Sequence, residues 1–346
     1  MGSPLLETAL NATLIIGGVV LALSMLLTML HYPYDTDVHA EGVDATAKAY
    51  YQDAYEQETV ASPGGRFEEK EEYVEKARAH AKAAGVPHTV ESFVRRFGLQ
   101  DGRVLEVGAG SGLLQHVVRR YVALDVSSRA HRFFDKPFVE ASAMRLPFRD
   151  ARFDALWSIW VLEHVHNPEE ALAEMRRVVR DGGYILLRPA WNCDPWAAEG
   201  YEVRPFSDFS LKGKIIKASI PIRLSRWYVL LYSRQVRIVR TLLTRLSGKP
   251  SRFHFKRLRP NYSRYWVTDS DAVVSLDFFE MFLWFRSRGD ECINCPPLRS
   301  LLFGSPGRRP EELIIRVNKG RVAAPHVAMD APYGETTERR KQVVQA

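Results

Sequence analysis

The sequence predicts an α/β protein built on a doubly wound, mostly parallel sheet, with an N-terminal transmembrane helix and a basic insertion. Three observations predict it. From about Arg103 to Ala190 short apolar runs alternate with helical patterns, the first of those runs leads into a glycine-rich turn, and a long segment without Asp, Glu, Lys or Arg precedes them all. The chain has 346 residues, 46% of them hydrophobic, which is enough for a full core.

The uncharged segment runs from Thr8 to Tyr34, and its centre, Ala12 to Leu30, reads ATLIIGGVVLALSMLLTML. About 20 helical residues at 1.5 Å rise match a ~30 Å hydrocarbon core. Residues 9–30 are therefore read as a single-pass anchor. The rival is a cleavable signal peptide, which wants a basic stretch ahead of its apolar run; no Lys or Arg occurs before Lys48. An interfacial helix is the other alternative. Residue 6 is Leu, where a myristoylation signal needs Ser or Thr. The net charge of +7 lies downstream of the anchor and favours a cytoplasmic catalytic side. Residues 31–48 read as a linker. The charged pattern of Phe67–Ala84 and the segment Thr89–Phe97 predict helices that cover the ligand side of the sheet, to which Tyr50 and Tyr51 could also contribute.

RVLEV (Arg103–Val107) is the first strand and runs into Gly108-Ala-Gly110-Ser-Gly112, followed by a helix, LLQHVVRR. YVALD (Tyr121–Asp125) and FDALWSIWVL (Phe153–Leu162) are further strands. Asn167 caps the next helix, Pro168 suits its first position, and Glu169 and Glu170 favour its dipole. Ala171, Leu172, Met175, Val178 and Val179 form its buried stripe, Gly182 and Gly183 stop it, and GYILLRPA is the next strand. Ligands of such sheets bind at the carboxyl ends of the strands. Glycines there let the backbone pass close under a ligand, and Asp125, ending the neighbouring strand, can accept from both ribose hydroxyls. The turn reads G-x-G-x-G, not the G-x-G-x-x-G of dinucleotide folds. Glu106 ahead of it would repel a phosphate and suit an ammonium.

VLEVGAGSG, ALDVS and LPFRDARFDALWSIWVLEHVHNPEEALAEMRRVVRDGGYILL resemble the motifs of class I S-adenosylmethionine (SAM) dependent methyltransferases, type 11 subgroup. The resemblance covers roughly Arg103 to Ala190. It implies a seven-stranded Rossmann-like sheet whose last two strands are antiparallel, a domain over 49–319, and SAM as cofactor. It implies that Glu106, Gly108 and Gly110 hold the methionine part, with Ala109, Gly112 and Val126 beside the donor, Asp125 on the ribose, and Ala143 and Met144 against the adenine. Ser142 departs from the family's usual Asp; its hydroxyl can still accept from the adenine amino group. His164, in the LEHV segment, is the candidate general base, the alternative being a histidine that only orients its loop or touches substrate.

Asp271–Arg288 predicts a helix capped by Asp269 or Ser270 and ended by Gly289, and ECINC and ELIIRV predict the final strands. Cys292 and Cys295 lack a second pair for zinc, so buried strand thiols are expected and no metal. Between Phe209 and Thr268 lie 15 Lys and Arg and no Asp or Glu. Within this insertion (192–266), Arg223, Arg226, Arg234, Arg237, Arg240 and Arg245 interleave with Leu and aromatic residues, as in an amphipathic helix on anionic lipid. A lid helix with a solvated basic face is the plainer alternative, and the anchor disfavours nucleic acid. Residues 320–346 read as a flexible tail.

These expectations converge on a membrane-anchored methyltransferase whose insertion forms a lid, taking a lipid, quinone or lipid-linked glycan from the bilayer. The alternatives are a non-catalytic SAM-binding or membrane adaptor that keeps the fold, and an NAD-dependent oxidoreductase, which the glycine spacing and LEH block disfavour.

Overall fold

The computed structural model describes residues 4–31, 41–55, 70–262, 269–303 and 310–320. The tail beyond Gly320, most of the linker (32–40), the start of the helix read at 67–69 and the end of the insertion (263–266) lie outside them. Helices cover both faces of the sheet, so its inner parallel strands are largely apolar, and five parallel strands make up most of it. These are β1 (Arg103–Val107), β2 (Arg120–Asp125), β3 (Phe138–Glu140), β4 (Phe153–Ile159) and β5 (Val179–Arg188). With β8 (Glu291–Cys292) and β9 (Leu313–Arg316) they form a seven-stranded sheet in the order β3-β2-β1-β4-β5-β9-β8. β1 to β5 pair in parallel. β9 is antiparallel to both β5 and β8. The last two strands thus form the expected antiparallel pair, with β9 the strand that runs against the others and β8 parallel to them.

Successive strand residues point to opposite faces and so feed two separate cores. Val104, Ala123, Trp157 and Leu186 pack with Val90, Phe93 and Val94 of α4 (Val86–Arg96). Leu105, Val107, Leu156 and Ile185 pack with α5 (Pro168–Val178) and α8 (Phe278–Ser287). The predicted start of α5 holds: Asn167 accepts from the Glu170 N–H, and Ala171, Leu172, Met175 and Val178 are fully buried.

Four local readings need correction. α5 ends at Val178, and Val179, Gly182 and Gly183 belong to β5 instead of the helix and its stop. Residues 113–119 form turns, not a helix. The Arg119 N–H goes to Gln100 O, and the Gln115 amide bridges Phe133 O and the Asp135 N–H, which takes this stretch out of helical register. α8 starts at Phe278, because Asp277, not Asp269 or Ser270, accepts from the Phe279 and Glu280 N–H groups. Ahead of it β7 (Val274–Ser275) pairs with β6 (Lys256–Arg257). Cys292 and Cys295 are joined as a disulfide with their α-carbons 5.6 Å apart, so they are not free thiols.

At the N-terminus α1 (Pro4–His31) covers the predicted anchor. Among the described residues no helix is long and apolar enough to cross a membrane, so the fold itself lends the span no support. α2 (Glu41–Ala54) begins inside the stretch read as linker, and α3 (Lys70–Ala83) follows. The insertion folds into α6 (Leu211–Arg223) and α7 (Arg226–Ser247), and α9 (Leu298–Phe303) lies further along the chain. The arginines of α7 are not all solvated or free for lipid. Arg237 donates to Asp277 at 3.0 Å and Arg240 to Glu280 at 2.9 Å, which ties α7 to α8.

Candidate active site

β1, β2 and β4 end on the same side of the sheet and leave a cavity of about 390 Å³ at their carboxyl ends. Gly108, Asp125, Val126, Ser142, Ala143, Met144, Val161 and His164 line it. The roof is α2, through Ala45, Ala47, Lys48 and Tyr51, with Tyr55 just beyond its end. Lys48 Nζ and Glu140 Oε1, 2.6 Å apart, close α2 onto β3. Gly108 has φ +73°, and an added Cβ would lie 2.1 Å from Val161 Cγ2, so only glycine fits there. The Asp125 carboxylate accepts from the Gly110 and Ser127 N–H groups, both at 2.9 Å. Burial raises its pKa against the opposing pull of those N–H groups. Ser142 Oγ accepts from the Met144 N–H at 3.2 Å, which leaves the hydroxyl further hydrogen-bonding capacity.

His164 lies at the far wall. Its Nδ1 is 3.7 Å from Asp271 Oδ2 and its Nε2 is 3.9 Å from Glu163 Oε1. Tyr51 Oη donates to the same Asp271 oxygen at 3.0 Å. Burial pulls the imidazole pKa down, but the carboxylates of Asp271, Glu163 and Asp269 outweigh it and hold the group above its ordinary value. Fully buried Glu163 is pushed up to about 7 by desolvation, which the neighbouring His164 opposes.

Beyond β4, Trp160 separates this cavity from a second one of about 340 Å³ at the ends of β4 and β5. His80, Arg188, Trp191, Asp269 and Glu311 complete the second cavity. Trp160 takes a left-handed φ of 54° and stacks on His80 at 4.8 Å. Arg188 is buried, donates to Ala84 O at 3.0 Å and pairs with Glu311. No group of His, Cys, Asp and Glu among the described residues could hold a metal ion.

Of the sequence-predicted residues, the structure brings Gly108, Asp125, Val126, Ser142, Ala143, Met144 and His164 onto one cavity. Glu106, Ala109, Gly110 and Gly112 are not on its wall. Glu106 shares the face of Val104 by strand alternation, and its carboxylate accepts from Tyr121 Oη. Gly110 lies under Tyr55 Oη, and Gly112 lies against Phe133 O. The insertion is no lid over either cavity among the described residues; the donor roof comes from α2. Lys48, Tyr55, Trp160 and Asp271 escaped the sequence reading. The Trp at the end of an apolar run was visible, but its shared wall was not.

A mixed seven-stranded sheet with this cavity at its strand ends is the Rossmann-like fold of SAM-dependent methyltransferases. Residues 105–187 match the methyltransferase domain family. Among relatives, a ubiquinone/menaquinone biosynthesis C-methyltransferase UbiE of Hahella chejuensis is 33% identical over 136 residues, 39% of this chain and 51% of that one. A fatty-acid O-methyltransferase of Mycolicibacterium smegmatis is 34% identical over 110 residues, 27% of this chain and 40% of that one. A solved SAM-dependent methyltransferase from Thermotoga maritima, described as a possible histamine N-methyltransferase, is 15% identical, covers 72% of this chain and 97% of its own, and has a TM-score of 0.37. The chain spans about half or less of the length of the two curated relatives.

Proposed function

We propose that the chain is a SAM-dependent methyltransferase that α1 holds at a membrane, with its catalytic domain on the cytoplasmic side and a lipid, quinone or lipid-linked glycan as acceptor. The observation that carries this reading is the pair of cavities divided by Trp160. The first joins Asp125, Gly108 and Ser142–Met144 and has the volume of a cofactor site; the second opens at the neighbouring strand ends. The quinone and fatty-acid acceptors in the relatives' names support an amphiphilic substrate, and the uncharged Thr8–Tyr34 supports the anchor.

When bound, SAM supplies an activated methyl group. Asp125 would hold its ribose and Ser142 its adenine amino group. Val161, pressed on Gly108, and Trp160 set the wall across which the acceptor must come. Positioning is the main contribution of the protein, as in any reaction between two bound partners. Where the acceptor must lose a proton, His164 is the group on the wall to take it, once it is itself neutral.

Calorimetry of the detergent-solubilised full chain with SAM, and transfer of labelled methyl to membrane lipid extracts, test this reading. We expect micromolar binding that Asp125→Ala abolishes, and label in the lipid fraction. Label appearing only in small soluble acceptors would remove the lipid acceptor, and absence of SAM binding by folded protein would remove the enzyme. SAM binding without any transfer would favour a non-catalytic adaptor, for which the engagement of His164 with Asp271 and Glu163 is the supporting observation.

A further inference from the structure

α7 is inside out. Its buried face is polar: Ser233, Arg237, Thr241 and Thr244 recur at spacings of four, four and three and are each less than 9% exposed. Its outward face is apolar, with Val239 at 52%, Leu242 at 49%, Leu243 at 56% and Leu246 at 81% exposure. A water-facing helix shows the opposite arrangement. Three of these four inward side chains make hydrogen bonds. Arg237 donates to Asp277 and to Leu301 O, while the Thr241 and Thr244 hydroxyls donate to carbonyls four residues earlier.

α1, which packs on α7, repeats the pattern. Ser24 is buried and bonds Leu231 O and the Gln235 amide of α7, whereas Ile15, Ile16, Val19 and Leu23 around it are more than half exposed. Helices that meet through polar groups and turn their apolar residues outward are arranged as helices in lipid are. α6 adds exposed Ile215 and Ile222, with exposed Lys212 and Lys214 on the same helix. The surrounding stretch 209–268 holds 15 Lys and Arg and no acid, a complement to anionic headgroups.

We infer that the outward face of α7, continuous with α1, is immersed in the acyl region of the bilayer, and that the ion pairs of Arg237 and Arg240 with α8 keep those charges out of lipid. The inference rests on the membrane reading above and deepens it. The basic insertion meets lipid with its leucines, and its two paired arginines serve the protein interior. The bilayer is preferred to a second copy of the chain because the same apolar surface continues along α1, which packs on α7, and the stretch 209–268 around it is basic without any acid.

The full chain is reconstituted in vesicles containing anionic lipid, and a polarity-sensitive fluorophore is placed on Leu246→Cys, Ile16→Cys or His88→Cys. Leu246 and His88 are exposed, and His88 lies on α4, across the sheet. Buried Cys193 sets the background label. We expect a blue shift at Leu246 and Ile16 and quenching of both by acyl-brominated lipid, with His88 still reached by aqueous iodide. Quenching at Ile16 but not at Leu246 would overturn the inference while sparing the anchor. No lipid quenching at either would overturn both. A Leu246 label shielded only as the protein self-associates, without lipid quenching, would assign the face to a second copy.

Discussion

Gly108 sits at φ +73° with the Val161 side chain against its α-carbon. Gly108→Ala forces both a left-handed alanine and a displaced Val161, at a cost of about 1–3 kcal/mol. Because Val161 lines the donor cavity, the variant is expected to lose SAM affinity along with stability, read by calorimetry and thermal melting. At His164 the surrounding carboxylates favour the imidazolium. Raised in the folded state, its pKa adds stability below the unfolded value of about 6.5, lost as pH rises through the folded value. A base must be neutral, so turnover should climb as pH rises through that value. His164→Ala should lower turnover far more than SAM affinity; equal turnover in the variant would take His164 out of the mechanism. Glu106 gives a prediction of opposite sense from a functional one. Burial lifts its carboxyl to about 8, against the Tyr121 hydrogen bond. Between an unfolded value near 4.5 and about 8 the folded state holds the extra proton, so stability falls as pH rises, by about 1.4 kcal/mol per pH unit. Glu106→Gln should flatten that decline and leave SAM binding intact, which a denaturation series from pH 5 to 8 and a titration would show.

Among the elements, α8 and α7 share one carboxylate. Asp277 caps α8 and accepts from buried Arg237 at 3.0 Å. Asp277→Ala should therefore cost about 3–5 kcal/mol, more than the ~1 kcal/mol of a lost cap, because a buried guanidinium loses its counter-charge. Urea unfolding of that variant beside Asn167→Ala separates the two sizes of effect. The helices also show where local signals suffice. Asn167 and Pro168 marked the start of α5 because a cap is a contact between near neighbours. The segment 113–119 carried an acceptable helical pattern, yet Gln115 and Arg119 spend their hydrogen bonds on Phe133, Asp135 and Gln100, partners that no window of local sequence contains.

For the whole molecule, the placement of both cavities on one side of the sheet predicts a split in kinetics. Presenting a lipid acceptor at rising surface density in vesicles should raise turnover while leaving the SAM dissociation constant unchanged. If α1 and α7 bring the domain to the bilayer, that gain should shrink when anionic lipid is replaced by neutral lipid, since screening and headgroup charge act on the basic surface. Turnover indifferent to surface density would speak for a soluble acceptor.

By itself the sequence determined the doubly wound sheet, the glycine turn at a strand end, Asp125 at the neighbouring one, and the N-terminal apolar segment. Each is written in residues adjacent in the chain, through period, composition or spacing. Tertiary structure alone decided that α2, read in part as linker, roofs the donor cavity, that Glu106 turns to Tyr121, that Asp271 reaches His164 from more than a hundred residues away, and that Arg237 and Arg240 of α7 pair with α8. Those outcomes depend on which distant side chains meet, and on the cost of leaving a buried charge without a partner, which is settled only once the chain has folded.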